Sequence, residues 1–103
     1  MRLIDFFDRG ATLYPERPCL VGKDVSISFR ETQRRTHQIA NKLIAGGLAP
    51  EAAAAVLSPN DAEAFSCILG VLRAGGAWMP LNARNAVDDN IAILQDNECR
   101  WLF

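Results

Sequence analysis

Leu72-Arg73-Ala74-Gly75-Gly76-Ala77-Trp78-Met79-Pro80-Leu81-Asn82 is the stretch that decides how this chain folds. An apolar helical pattern runs into Gly75-Gly76, where a residue without a Cβ can take the left-handed conformation that ends a helix at little cost. Ala77 to Leu81 is then an apolar run too short for a helix, and Pro80 closes it because proline cannot donate to a central ladder. Helix, glycine stop, buried strand and proline exit make one half of a helix-strand repeat.

Upstream of that stretch the same unit recurs. Ala52 to Ser58 contains four alanines, which favour helix by propensity. Pro50 and Pro59 bracket it at strand length, so Ala53 to Leu57 reads as a fully buried strand. Asn60 is expected to cap the next helix, with Asp61 and Glu63 in its first turn and Arg73 in its last, all suited to the helix dipole. Its inner face reads as Ala64, Phe65, Ile68, Leu69 and Leu72. Downstream, Asn82 to Asn85 is loop, and Val87, Ile91 and Leu94 mark a helix from Ala86 to Asp96 with Asn97 as its left-handed stop. Cys99 to Phe103 begins another strand. Strand, helix, strand, helix, strand with short connections implies right-handed crossovers and a parallel sheet.

The amino-terminal part reads differently. Leu3, Phe6, Phe7, Gly10, Leu13 and Tyr14 recur at helical spacing, predicting an amphipathic helix over 2–14 that stops before Pro15, with its aromatic pair in the core. Cys19-Leu20-Val21 and Val25-Ser26-Ile27-Ser28, separated by Gly22-Lys23-Asp24, read as a hairpin. Ser28 and Glu31 have capping-box spacing, so a helix begins near Phe29. Thr32, Thr36, Ile39, Ala40, Leu43 and Ile44 form its buried face, its arginines mostly face water, and Gly46-Gly47 ends it. The fold class is therefore α/β: a partial βαβαβ parallel sheet with flanking helices, preceded by a helix and a hairpin. Residues 1–28 are the helix plus hairpin and 29–103 the α/β repeat.

Composition narrows the function by exclusion. Of 103 residues, 50% are hydrophobic and 22% charged, ordinary for a globular protein. The net charge is -1, and the basic residues lie scattered among carboxylates, so no nucleic-acid partner is expected. Cys19, Cys67 and Cys99 have neither CxxC spacing nor neighbouring histidines and read as small buried side chains of a reducing compartment. The amino end carries charges where a signal peptide is apolar, and no run approaches the roughly 20 residues of a membrane span, so a cytoplasmic protein is expected. His37, the only histidine, has no flanking ligand or nucleophile candidate and reads as a surface or hydrogen-bonded residue rather than a catalytic one. No GxxxxGK[ST] or GxGxxG loop is present, and Gly75-Gly76 ends a helix rather than opening one onto phosphate. No residue is assigned as catalytic, cofactor-binding or metal-binding.

A parallel sheet needs both faces covered and neighbours for its inner strands. Three strands and a hairpin leave much of that unmet, so the expectation is the amino-terminal fragment of a larger domain, 1–103, completed by the rest of a parent chain or by a homologous chain. A non-catalytic interaction module that pairs through its exposed sheet edge, with a related chain or by self-association, is the rival.

Four places resemble the AMP-forming adenylating enzymes, the superfamily of acyl-CoA synthetases, amino-acid adenylation domains and firefly-type luciferases. Ile27 to Thr32 with Arg35 is similar to the family's (Thr/Ser)-(Tyr/Phe)-x-Glu-Leu opening and its arginine. Gly47-Leu48-Ala49-Pro50 with Leu57-Ser58-Pro59-Asn60 is similar to the next strand and helix start. Leu72 to Asn82 resembles the Leu-Lys-Ala-Gly-x-x-(Tyr/Trp)-x-Pro-Leu-(Asn/Asp) signature, and Trp101-Leu102-Phe103 the strand that follows. The family commonly has Gly-Asp where this chain has Glu51-Ala52, and leucine where it has Thr32.

The resemblance implies a ligase that activates a carboxylic acid with ATP and magnesium to an acyl-adenylate and passes the acyl group to coenzyme A or another thiol. The family's phosphate loop, adenine contacts and catalytic lysine come later than Phe103, so the isolated chain is expected to be inactive scaffold. Asn82 points to acyl-CoA synthetases, as in fatty-acid metabolism. An amino-acid or aryl-acid adenylation domain, which more often has aspartate there, is the alternative.

Overall fold

The computed structural model describes residues 2–57 and 61–103. The described elements are α1 (Leu3–Leu13), β1 (Pro18–Val21), β2 (Ser26–Ser28), α2 (Phe29–Ala45), β3 (Ala53–Val56), α3 (Ala62–Arg73), β4 (Ala77–Pro80), α4 (Val87–Asp96) and β5 (Trp101–Leu102). β1 and β2 pair antiparallel as the expected hairpin. β3, β4 and β5 form a parallel sheet in the order β4-β3-β5. The alanine-rich run is thus the central strand. Bracketing prolines and burial between two partners override its helix propensity.

The sheet closes around small side chains. Ala54 and Ala55 are fully buried, and Ala54 lies in register with Trp78 on one side and Trp101 on the other. Trp101 packs on a core of Leu43, Leu48, Ala54 and Val71, to which Ile39 and Phe103 add partly buried surface. Burying an aliphatic side chain of this size contributes about 1.5–3 kcal/mol, so Leu43 and Val71 alone weigh heavily in a small domain.

Gly75 takes φ 82, so the left-handed stop falls where the sequence places it. The turn is pinned at both ends, because Glu51 N donates to Gly75 O at 2.8 Å and Ala77 N to Ala52 O at 2.8 Å. Two other glycines serve close packing. A Cβ on Gly70 would lie 2.4 Å from Ile39 Cγ2, and one on Gly46 would lie 2.2 Å from the Trp101 ring. α2 and α3 therefore cross at backbone distance, with Ile39 seated on Gly70.

Several sequence expectations are corrected. On α1 the buried residues are Ile4 and Ala11, while Leu3, Phe6, Leu13 and Tyr14 are exposed. Phe7 packs on Phe29, with ring centroids 5.8 Å apart. The apolar arc of α1 is wider than one buried stripe, and the core takes its other half. Ile44 on α2 and Phe65 on α3 are exposed rather than inward. β4 lies at the sheet edge with Ala77, Trp78 and Pro80 exposed, so it is not a buried strand. α4 exposes Val87 and Ile91 and buries Asn90 instead. The left-handed residue after α4 is Glu98 at φ 51, since Asn97 sits at φ -99. Ser28 does cap α2, its Oγ accepting from Glu31 N at 3.1 Å, but the Glu31 carboxylate turns forward to Arg34 and Arg35. Asn60 lies outside the described residues, and the cap of α3 is Asp61, which accepts from Ala64 N at 2.8 Å.

Candidate functional site

Open α/β sheets bind ligands beyond the carboxyl ends of their strands. Here those ends are Leu57 after β3, Leu81-Asn82 after β4 and Phe103 after β5, tied together where Leu57 N donates to Phe103 O at 2.7 Å. The loop after β4 is held by three asparagines. Asn82 Oδ1 accepts from Arg84 N at 2.8 Å, and Asn90 Nδ2 donates to Asn82 O at 3.0 Å while Asn90 Oδ1 accepts from Asn85 Nδ2 at 3.2 Å. Asn90 is buried because it supplies these bonds, which explains why the one buried residue of α4 is polar.

The helix starts at this edge do not suit a triphosphate. Helix N-termini attract anions when their amides are open. α3 begins with Asp61, which occupies one amide itself, and Glu63, and α4 begins with Asp88 and Asp89. These carboxylates repel phosphate. Among the described residues no group of three or more His, Cys, Asp or Glu side chains is placed to hold a metal. No chemical step involving ATP or magnesium is assigned to the described residues.

The strongest polar cluster joins helices instead. The guanidinium of Arg73 forks onto Asp8, with Nη1 donating to Oδ2 at 3.0 Å, and its Nε donates to Thr36 Oγ1 at 3.1 Å. Gln33 Nε2 donates to Asp8 Oδ1 at 3.0 Å. Arg73's hydrogen bonds hold the Asp8 carboxyl below its ordinary 3.8 against the opposing push of burial, with Gln33 adding to the effect. Arg73 thus serves a tertiary ion pair across α1, α2 and α3, beyond the helix-end role read from sequence. Glu31, gripped by Arg34 and then Arg35, is held at about 2 on the surface.

His37 is exposed, as expected. The three cysteines are free and half-buried, a partial correction to the buried reading. Burial pushes the thiols of Cys19 and Cys67 upward, so neither is poised as a nucleophile. A groove of 1380 Å³ runs between the hairpin, Phe7, Phe29 and the start of α3, where Phe65 and Ile68 form one wall. No helix among the described residues is long and apolar enough to cross a membrane.

The sequence profile of the AMP-binding enzyme family matches residues 7–103. This chain belongs to that family. It is 33% identical over 94 residues to a dimodular nonribosomal peptide synthase of Bacillus subtilis, covering 91% of this chain and 4% of that protein. It is 35% identical over 80 residues to the AMB antimetabolite synthetase AmbE of Pseudomonas aeruginosa, covering 78% and 4%. The chain therefore spans a small fraction of the curated relatives it matches.

Among solved structures, the nonribosomal peptide synthetase FmoA3 superposes with a TM-score of 0.96 at 22% identity, over 99% of this chain and 11% of that one. The Klebsiella oxytoca NpsA N-terminal subdomain does so at 0.88 and 20%, over 99% and 27%. The anthranilate CoA ligase AuaEII in complex with anthranoyl-AMP gives 0.93 and 20%, over 99% and 20%. An NRPS protein containing adenylation and PCP domains gives 0.90 and 19%, over 98% and 20%. The fold is shared with a part of each of these adenylating proteins. Both of the curated relatives above are named as synthases or synthetases, the first of them a nonribosomal peptide synthase. Asn82 does not discriminate between the acyl-CoA and amino-acid readings: its Oδ1 accepts a backbone amide in a turn, a task an aspartate oxygen does equally well.

Proposed function

We propose that this chain is the opening segment of a domain that activates an amino acid with ATP as its acyl-adenylate and passes it to a carrier-bound thiol, as one unit of a peptide synthetase. The observation that carries this reading is the similarity, at 33% identity over 91% of the chain, to a nonribosomal peptide synthase. The segment's own part is scaffold. β3 supplies the central strand, Asp8 and Arg73 lock the three helices beside it, and Asn90 orders the loop after β4. ATP, magnesium and the amino acid would be held by residues outside this segment.

Transfer of the acyl group distinguishes this reading from its runner-up. The polypeptide carrying this segment, given ATP, magnesium and a mixture of amino acids, should load a phosphopantetheinylated carrier domain, seen as a mass increase on the carrier. Formation of an acyl-coenzyme A with an unloaded carrier would overturn the reading in favour of an acyl- or aryl-CoA ligase, for which the AuaEII likeness is the supporting observation.

A further inference from the structure

α1 is hinged at its carboxyl end and fastened in its middle by one carboxylate. Among the described residues no backbone hydrogen bond joins α1 to another element; its bonds stay within the helix and its two ends, as from Tyr14 N to Gly10 O at 2.8 Å. The chain becomes anchored just beyond the helix, where Arg30 N donates to Pro15 O at 2.9 Å and Phe29 N to Arg17 O at 3.0 Å. Between helix and anchor lies Tyr14, which at φ -137 and ψ 60 has already left helical geometry ahead of Pro15. A few end-of-element residues of this kind suffice to absorb a hinge motion.

Side-chain attachment is as narrow. The hydrogen bonds that α1 makes to α2 and α3 converge on Asp8, reached by Gln33 from α2 and by Arg73 from α3. Ile4 and Ala11 are buried and Phe7 stacks on Phe29, but Leu3 is 68% exposed, Phe6 60% and Leu13 61%. α3, by contrast, buries Ala64, Ser66, Leu69, Gly70 and Val71, and Ile39 of α2 is seated on Gly70. Segments that bury few apolar side chains open at lower free energy than the core they cover. Arg73 keeps a partner when α1 departs, because its Nε donates to Thr36 Oγ1 at 3.1 Å.

We propose that α1 is a strap that swings away from α2 and α3 about Tyr14 and Pro15 as a unit, leaving the sheet and the α2–α3 crossing intact, and that Asp8 is its latch. Opening uncovers the Phe29 ring and the seat of Ile4, whichever acid the larger protein activates.

Hydrogen exchange read by mass spectrometry, on the polypeptide that carries this segment and without substrates, tests the strap. Relative to intrinsic rates, amides of residues 7–13 should exchange at least about a hundredfold faster than those of residues 66–71, and with weaker dependence on urea. Asp8→Asn keeps the shape and removes the charge, so it should speed residues 7–13 by at least about tenfold and leave 66–71 within about twofold of the wild type. Glu31→Gln neutralises a surface carboxylate held by Arg34 and Arg35, away from α1, and should change neither segment. Equal protection of the two helices in the wild type would overturn the proposal by showing one cooperative unit, and that comparison holds even where a variant misfolds. Acceleration of both segments by Asp8→Asn, or of neither, would overturn it too, as would a Glu31→Gln effect on residues 7–13 as large as that of Asp8→Asn.

Discussion

Arg73, at the end of α3, and Asp8, in the middle of α1, form a forked ion pair across 65 residues of sequence. The Arg73 side chain is only 11% exposed and that of Asp8 31%. A fork of this kind orients both partners through two parallel hydrogen bonds. It is the principal polar attachment of α1, whose buried apolar contribution is limited to Ile4, Ala11 and half-buried Phe7.

Removing one partner leaves the other charge poorly solvated. Asp8→Ala and Arg73→Ala are each expected to cost about 2–3 kcal/mol, below the full cost of a wholly buried pair because Asp8 retains some water. The double variant should cost clearly less than their sum. Urea denaturation of the four proteins in the cycle measures the coupling.

The same pair sets an acid limit. The folded-state pKa of Asp8 is depressed, so its contribution is fully present above its unfolded value near 3.8 and is lost as pH falls through the folded value. The melting temperature of the wild type should therefore fall more steeply below about pH 4 than that of Asp8→Asn, which lacks this titration. Equal slopes would show that the pair does not couple to folding.

Gly70→Ala tests the α2 and α3 crossing. Alanine gains about 1 kcal/mol of helix propensity, but its Cβ would sit 2.4 Å from Ile39 Cγ2 and 3.4 Å from Thr36 O. Overpacking of about 1–3 kcal/mol should win, giving a net loss. Adding Ile39→Ala should relieve the clash, so the pair of substitutions should be less damaging than the two taken separately.

Two positions invite stabilising changes. Glu51 holds φ 66, a left-handed conformation costing a non-glycine residue roughly 1–2 kcal/mol. Glu51→Gly should raise stability by about 0.5–1 kcal/mol after the added chain entropy of glycine is subtracted. Thr32 is wholly buried, and its Oγ1 lacks a hydrogen-bond partner of ordinary geometry, its interaction with the Cys19 thiol being weak. Thr32→Val should gain about 1 kcal/mol by removing an uncompensated hydroxyl of the same shape. Thermal melts compare both directly.

The sequence carried the order of elements, the hairpin, the glycine stop at Gly75 and the strand status of Ala53 to Val56, because each depends on local punctuation. It did not reveal which half of α1's apolar arc faces inward, since periodicity alone does not distinguish a buried stripe from an exposed one. Leu3 and Phe6 were misassigned on that account, and so was Phe65, whose neighbours Ala64 and Ser66 go inward. The Asp8 and Arg73 pair is non-local and has no spacing signal. Asn90 could have been suspected, because an asparagine among Val87, Ile91 and Leu94 interrupts an otherwise apolar face. The departures at Glu51 and Thr32 from the family pattern were visible in sequence, and the structure gives them physical meaning as a left-handed residue and a buried hydroxyl.

The most direct test of the account is ATP–pyrophosphate exchange by the polypeptide that carries this segment, measured against panels of amino acids, aryl acids and fatty acids. Exchange should depend on one amino acid or a few close analogues, at least about tenfold above any fatty acid. Exchange supported by fatty or aryl acids alone, or by no acid at all, would contradict the account.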